Sequence, residues 1–445
     1  METLQNKNIL DRINEAISQS VTFKLMSIGV LILLLLIPKS MINSLIVERE
    51  IRMEETVQEV TDKWSRRQTV SGPILTIPYK KNIESEDGTT LKTVIKEATF
   101  LPEVLKIESN VIPEERYYGI FKVIVYKATL KFQGRFPQAD FSEWDINDSD
   151  VLWTKASLNV GISDLRGIEK QVHLNIKDIN IPFQPGVIET GLFQSGIHIP
   201  MQESIHKLIN HDFSMDISLK GSQQLFFVPA GKNTEVSMIS SWKDPSFIGS
   251  FLPNHDISKD GFKATWQVLH FNRNFPQRWA NTNYDIEGSK FGVNLLVAAN
   301  HYQKSLRSSK YSILVITLSF LMFFLIEVTQ KLRIHAFQYI LIGLTLMIFY
   351  TLLLSISEHL GFNLAYWISS LSVIGLISFY SSAVLSNKRL AYLLAGSLTM
   401  IYGFIFIIIQ IETYALLVGS VGLFLILALT MYYTRKISWY RASHE

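Results

Sequence analysis

The chain has 445 residues, of which 48% are hydrophobic, and its 42 basic and 39 acidic residues leave a net charge of only +3. This balance creates no strong positive field, so we expect no nucleic-acid partner. The absence of cysteine excludes disulfides, thiolate nucleophiles and cysteine-ligated zinc within the chain.

The N-terminal region predicts a short polar segment, residues 1–20, followed by a transmembrane helix over residues 21–46. Lys24 and Lys39 flank its uncharged core and are expected to extend their amines to the lipid surface. A cleaved signal peptide is the alternative. The uncleaved anchor is favoured because no small-residue cleavage site follows the apolar run.

Residues 47–67 are rich in both signs of charge and predict a stalk helix. Met53, Val57, Val60 and Trp64 recur at helical spacing, which indicates one apolar stripe on a solvated helix. A signalling lever is one interpretation. A stalk that packs its stripe on the next domain is favoured, because mixed-charge helices are usually solvated.

Residues 68–305 predict a periplasmic domain rich in β-strands. Short β-branched or alternating stretches are separated by turn signals such as Glu86-Asp87-Gly88, a pattern typical of an all-β sandwich or barrel. One large sandwich and two smaller ones both fit. The predicted strands are 74–77, 122–132, 156–162, 172–179, 213–219, 225–228, 236–239 and 262–269.

Residues 306–434 predict a C-terminal bundle of five transmembrane helices, because a span needs about 20 mainly apolar residues. The predicted fold class is therefore an α+β membrane protein with one N-terminal span, a large all-β extracytoplasmic domain and this bundle. The five predicted spans are residues 311–328, 336–356, 362–385, 390–410 and 414–433, followed by a tail over 435–445.

The short connections predict the orientation. Alternate connections between and after these spans carry seven basic residues, whereas the connections around Glu358 and Glu412 carry none. Lys304, Arg307 and Lys310 precede the first of the five spans and belong to a large translocated domain, where the rule has little weight. Short cytoplasmic loops are enriched in Lys and Arg, so both termini are predicted to be cytoplasmic and the β domain periplasmic. The seven residues are Lys331, Arg333, Lys388, Arg389, Arg435, Lys436 and Arg441.

Motifs along nearly the whole chain resemble the CreD family of bacterial inner-membrane proteins, which is usually named for cell-envelope integrity. The resemblance implies an inner-membrane location and a link to envelope stress, and it implies no defined chemical activity. The motifs include Ser71-Gly72-Pro73, Phe100-Leu101-Pro102-Glu103, Asp164-Leu165-Arg166-Gly167-Ile168, Phe275-Pro276-Gln277-Arg278-Trp279, Ile334-His335-Ala336-Phe337 and Ser355-Ile356-Ser357-Glu358-His359.

Polar residues at the helix ends are the first candidates for function. Glu358, His359 and Glu412 are predicted at one membrane face, where they could form an acidic cation or proton site; the alternative is that they solvate tight loops. At the other face, Glu327 and His335 flank a turn. There an ion pair between Glu327 and Lys331, four residues apart on a helix, explains both charges.

In the β domain the best polar pair is Asp164 and Arg166, and a structural salt bridge at a turn is its favoured role. The sequence contains no Walker loop, nucleophile elbow or dinucleotide fingerprint. We therefore expect no cofactor, no metal and no catalytic residue.

Three functions remain open from the sequence. The first is a non-enzymatic envelope protein whose β domain binds a periplasmic ligand or protein partner. The second is a transporter or channel with an acidic outer vestibule, and the third is a membrane enzyme acting on envelope precursors. The lipid bilayer is an expected partner in each case, and the oligomeric state is not predicted.

Overall fold

A computed structural model describes residues 21–84, 91–188, 191–201, 208–209, 211–280, 282, 284–295, 301–330, 332, 334–385, 387–411 and 414–435. The chain divides into two compact units. We call Met1–Met53 with Ala299–Glu445 the helical unit, and Glu54–Ala298 the β unit.

Helix α1 (Val21–Trp64) is continuous over 44 residues and includes Pro38. At 1.5 Å per residue it is about 66 Å long, roughly twice the thickness of a bilayer's hydrocarbon core. The anchor over 21–46 and the stalk over 47–67, predicted as separate segments, thus form one helix. Their junction, Ile46-Val47-Glu48, contains no glycine or proline that would break it.

The rest of the helical unit is built from six further helices in its described part. The short polar α2 precedes five long apolar helices. Helix α1 and the five long apolar helices are each long and apolar enough to cross a membrane, which makes six such helices among the residues described. The predicted fold class is confirmed. The helices are α2 (His301–Lys310), α3 (Ser312–Gln330), α4 (Ala336–Leu360), α5 (Phe362–Val384), α6 (Lys388–Gln410) and α7 (Ala415–Thr434).

Burial differs sharply along the bundle. Helices α3 to α6 each bury a face in the unit, with Phe320, Leu353 and Tyr402 among the side chains that are almost fully enclosed. Helix α7 is apolar yet exposed, and Leu416 and Phe424 are 88% and 71% accessible. Side chains of this kind on a spanning helix contact lipid.

The β unit contains two mixed sheets in the part of the chain described. One has nine strands, with the order β13-β17-β11-β1-β5-β9-β8 and with β2 and β16 branching from β1. The other has eight, in the order β14-β15-β12-β3-β4-β10-β6-β7. The strands are β1 (Gln68–Glu84), β2 (Leu91–Phe100), β3 (Val104–Tyr118), β4 (Phe121–Arg135), β5 (Ser157–Ile162), β6 (His173–Ile176), β7 (Ile179–Pro182), β8 (Gln184–Pro185), β9 (Gly196–Pro200), β10 (Asp212–Ser222), β11 (Gln224–Val228), β12 (Asn233–Ser240), β13 (Pro245–Gly249), β14 (Asn254–Ser258), β15 (Gly261–Leu269), β16 (Arg278–Ala280) and β17 (Phe291–Leu295).

One hydrophobic core joins the two sheets. It includes Leu158 and Phe227 of the nine-stranded sheet and Leu130, Phe132 and Trp266 of the eight-stranded one. Buried and exposed residues alternate along the second half of β4, as expected when one face of a strand packs inward. The described β region is therefore one two-sheet domain.

The segment predicted as a single strand over 172–179 is instead a hairpin. Strands β6 and β7 pair in antiparallel fashion, with Ile176 opposite Ile179. Lys177 lies in the turn with a φ of 51°, a left-handed conformation that interrupts an extended chain.

Candidate functional site

Glu327, near the end of α3, is buried in the helical unit and accepts three hydrogen bonds. The Lys24 ammonium of α1 donates to Oε1, and the Ile334 N–H donates to the same oxygen at 3.0 Å. The Tyr339 hydroxyl of α4 donates to Oε2 at 3.0 Å. The Glu327 side chain is only 2% exposed. The carboxylate is thus paired and closed to solvent.

The predicted ion pair between Glu327 and Lys331 stays a prediction, because Lys331 lies outside the described residues. Among the described residues, the cation beside Glu327 is Lys24, which was expected at the lipid surface. A buried carboxylate needs a paired charge and further hydrogen bonds to offset the loss of its hydration. Lys24, Tyr339 and the Ile334 amide supply them.

His335 begins α4 as a capping residue. Its Nδ1 accepts from the Phe337 N–H at 3.2 Å, and the Gln338 side chain accepts from the His335 N–H at 2.9 Å. Such reciprocal bonds satisfy amides that a helix N-terminus leaves without partners. His335 therefore has a structural role in this geometry.

Glu358, in the last turn of α4, forms a second acidic cluster in the helical unit. Its Oε1 accepts from the Tyr302 hydroxyl at 3.0 Å and lies 4.0 Å from Arg49 Nε. The His301 ring lies against Tyr302, with ring centroids 4.2 Å apart. Burial lowers the pKa of His301, and the Glu358 carboxylate opposes part of that shift. Burial and Glu358 raise the pKa of Tyr302.

His359 does not join this cluster, because its side chain is exposed whereas that of Glu358 is only 10% exposed. Glu412 lies outside the described residues, so its distance from Glu358 stays a prediction. A separate polar chain in the same unit runs from Lys304 to Gln410 at 3.3 Å and from Gln410 to Asn363. It connects α2, α6 and α5.

The two glutamate clusters lie at opposite ends of the membrane-spanning part of α1. Lys24 and Arg49 are 25 residues apart, which is about 37 Å along a helix. Helix α1 is therefore antiparallel to α3, whose last turns carry Glu327, and parallel to α4, whose last turn carries Glu358. The sequence did not predict the contacts made by Lys24, Arg49, Tyr302 and Tyr339. Its only signal was the position of Lys24 beside the apolar run.

Asp164 and Arg166 lie in the β unit at a 3₁₀ turn that follows β5. Arg166 Nε and Nη2 donate to the two carboxylate oxygens at 2.9 and 2.7 Å, and the Arg66 N–H donates at 3.0 Å. The hydrogen bond from Arg166 lowers the pKa of Asp164 to about 2. Arg166 also donates to the Asp62 carbonyl of α1. The pair thus connects the end of α1 to the turn.

The turn requires a glycine at Gly167. A Cβ there would lie 2.3 Å from the Lys220 carbonyl oxygen and 2.6 Å from Gln68 Nε2. The Gln68 amide also donates to the Asp164 carbonyl at 2.9 Å. The close packing indicates that Asp164 and Arg166 stabilise the fold.

An open polar cleft lies on the nine-stranded sheet of the β unit. Its volume is about 620 Å³, within the range of roughly 300–1,000 Å³ that is usual for small-molecule sites. No group of three or more acidic or histidine side chains in the described part of the chain is arranged to hold a metal ion. The cleft was not predicted from the sequence. Its walls include Thr69, Ser71, Ser163, Phe193, Gln194, Ser195, Tyr284, Asp285 and Glu287.

The sequence match to known proteins covers both units. The family model described as inner membrane protein CreD matches residues 20–440. The chain belongs to the CreD family. A CreD-family relative, "Inner membrane protein CreD" of Escherichia coli (strain K12), is 34% identical over 433 residues, which cover 95% of this chain and 94% of the relative.

Membership of the CreD family agrees with the six spans and identifies a multi-pass inner-membrane protein. The CreD-like motifs fall in different structural contexts. Asp164 and Arg166 lie in the turn described above, and Ser71 lies in the wall of the cleft. His335 and Glu358 lie at the two ends of α4. The family is not known as an enzyme family.

Proposed function

We propose that this CreD-family protein contributes to cell-envelope integrity or the response to envelope stress by binding a ligand or partner through its β unit. The observation that carries the proposal is the open polar cleft on the nine-stranded sheet. Concave sites with a few convergent polar groups are the usual places for small ligands on proteins. The helical unit would hold the β unit at the inner membrane.

The acidic groups of the helical unit support a holding role. Glu327 is enclosed by three donors, and Glu358 is bonded to Tyr302 beside Arg49. Carboxylates that serve a transport path are expected to face a water-filled cavity. Enclosure by tyrosine, amide and cationic donors instead fits groups that connect helices.

The proposed orientation places the β unit in the periplasm and both termini in the cytoplasm. It rests on the basic residues Lys388 and Arg389 in the first turn of α6 and on Arg435 after α7, since short cytoplasmic connections are enriched in such residues. Of two reporters fused after Arg389, one active only in the cytoplasm and one active only in the periplasm, the cytoplasmic reporter alone should be active. Periplasmic activity at this position would reverse the orientation.

A substitution that fills the cleft tests the binding role. Gln194 lines the cleft, so Gln194→Trp should block it. Gln267 is exposed on β15 of the other sheet, and Gln267→Trp is the matched control. In cells that depend on this protein for growth under envelope stress, we expect loss of growth with Gln194→Trp and normal growth with Gln267→Trp. Equal growth of the two variants at equal protein levels would contradict the proposal.

Transport of a small polar solute is a second candidate, supported by one observation. The hydroxyls of Tyr350 and Tyr402, both buried in the bundle, have no hydrogen-bond partner among the residues described. Flux measured in proteoliposomes should be reduced by Tyr402→Phe if this candidate is correct. Absence of flux, or flux unchanged by the substitution, would argue against it.

A further inference from the structure

The cleft in the β unit has a lining whose chemistry identifies a class of ligand. Residues of β1 form one wall, the end of β5 forms another, and the segments 191–195 and 284–287 complete it. The clusters around Glu327 and Glu358 are closed by their own partners. In the cleft, by contrast, several polar groups of the described chain face an open concavity of ligand size.

The charge of the described lining disfavours an anionic ligand. Its two ionisable carboxylates are Asp285 and Glu287, and no lysine or arginine is among the described residues that form the walls. Phosphate, phospholipid headgroups and acidic peptides are recognised by arginine and lysine donors. A phosphate group placed here would meet two negative charges and, among the described wall residues, no positive one.

The uncharged polar groups match a ligand rich in hydroxyls. Thr69, Ser71, Ser195 and the Gln194 amide line the cleft, and side chains of these types can both donate and accept hydrogen bonds. Carboxylates are strong acceptors for hydroxyl donors. Sugar hydroxyls need acceptors and donors side by side, and the walls present both.

The Asp285 carboxylate is held in place before any ligand binds. Its Oδ1 accepts from the Gly288 N–H at 3.1 Å, within the 3₁₀ turn at Glu287–Ser289. Its Oδ2 has no hydrogen-bond partner among the described residues. Because one carboxylate oxygen is already bonded and the other is available, less side-chain entropy is lost when a ligand binds.

Two aromatic rings give the cleft apolar surfaces. Phe193 lies so close to β5 that a Cβ on Gly161 would be 2.8 Å from its ring. Tyr284 packs edge-on against Trp279, with ring centroids 5.4 Å apart. Both rings are partly exposed. Rings held in this way offer flat apolar faces beside polar groups, which suits the C–H faces of a pyranose.

Resting on the binding role proposed above for the β unit, we propose that this cleft binds a short segment of a neutral carbohydrate chain. The hydroxyl, amide and carboxylate groups bond to sugar hydroxyls, and Phe193 and Tyr284 pack against the sugar rings. A volume of about 620 Å³ admits a few sugar residues. A polycation such as spermidine is the main competitor, because it would also suit two carboxylates.

The test uses the full-length protein in lipid nanodiscs and measures binding by titration calorimetry. The probes are a neutral N-acetylglucosamine tetramer, maltotetraose, spermidine and inorganic pyrophosphate. We expect at least one oligosaccharide to bind, and Asp285→Asn to weaken that binding at least tenfold. The control is Asp256→Asn, because Asp256 is exposed on β14 of the other sheet, and it should leave the affinity unchanged. Tryptophan fluorescence provides a second readout, because Trp279 packs against Tyr284.

Each other outcome overturns the carbohydrate proposal. Binding of spermidine alone would identify a polyamine site, and binding of pyrophosphate would contradict the argument from charge. Oligosaccharide binding that Asp285→Asn leaves intact in a folded protein would place the ligand elsewhere, and no binding of any probe would reject the ligand class. Failure here is distinct from failure of the proposed function, which is judged by growth with Gln194→Trp.

Discussion

Lys24 and Glu327 are 303 residues apart in the chain and form an ion pair inside the helical unit. Their side chains are 28% and 2% exposed, so the carboxylate is enclosed and the ammonium is partly so. The pair connects α1 to α3, and Tyr339 extends the connection to α4. It joins the N-terminal span to the C-terminal bundle.

Removal of the cation should destabilise the helical unit. Lys24→Met leaves Glu327 buried without its charge partner, and loss of one member of a buried pair costs about 3 kcal/mol. Unfolding of the purified protein by a denaturing detergent measures the change. The double variant Lys24→Met/Glu327→Gln should recover part of the loss, and Lys39→Met is the matched control. Equal stabilities of Lys24→Met and Lys39→Met would show that the pair contributes nothing.

Tyr302 should stabilise the second cluster through its hydroxyl. Tyr302→Phe removes the donor to Glu358 and keeps the ring, so we expect a loss of about 1.5–3 kcal/mol, as for hydrogen bonds to charged groups. The control is Tyr392→Phe, because Tyr392 is 75% exposed on α6. A double-mutant cycle with Glu358→Gln measures the coupling. A coupling of zero would mean that the 3.0 Å contact is energetically neutral.

The stability of the β unit should depend on pH through Asp164. Its pKa is lowered from 3.8 to about 2 in the folded state by Arg166, so its contribution is present above the unfolded pKa and is lost as pH falls through the folded value. Asp164→Asn should lower the melting temperature at neutral pH and reduce its fall between about pH 4 and pH 2. Asp216→Asn, at an exposed position of β10, is the control. An unchanged pH profile in Asp164→Asn would assign the acid sensitivity to other groups.

Trp64, the last residue of α1, should hold that end of the helix within the β unit. Arg116 and Lys220 lie 3.9 and 4.9 Å from its ring centroid. Trp64→Ala removes these cation–π contacts and the packing around them, with an expected loss of about 2 kcal/mol. In limited proteolysis, cleavage near the C-terminal end of α1 should then increase. Tyr117→Ala, at a position that is 67% exposed, should have little effect, and equal cleavage of both variants would contradict the role of Trp64.

The membrane spans could be predicted from the sequence because each is specified locally by about 20 apolar residues. The strands were only partly predictable. Strand β3 (Val104–Tyr118) was missed although its first half alternates in burial, because Pro113 and the polar run 114–116 interrupt the pattern that its pairing with β4 restores.

The candidate site depended on contacts that no local pattern reveals. Glu327 has a basic residue four positions later, and that spacing favoured Lys331 as its partner. The structure pairs it with Lys24, which a local rule cannot find. The cleft is likewise assembled from four separate stretches, and the serine, threonine and glutamine residues in its walls are ordinary surface residues in the sequence.

The 25-residue interval between Lys24 and Arg49 fixes both the distance between these side chains along α1 and the angle between them around the helix axis. One inserted residue turns everything beyond it by about 100°, since a helix has 3.6 residues per turn. After such an insertion, a helix held by Lys24 at Glu327 would aim Arg49 away from Glu358. Replacing an exposed apolar residue of this span, such as Leu33, with another apolar residue keeps the register, whereas a change in the length of the span disturbs one of its two ends.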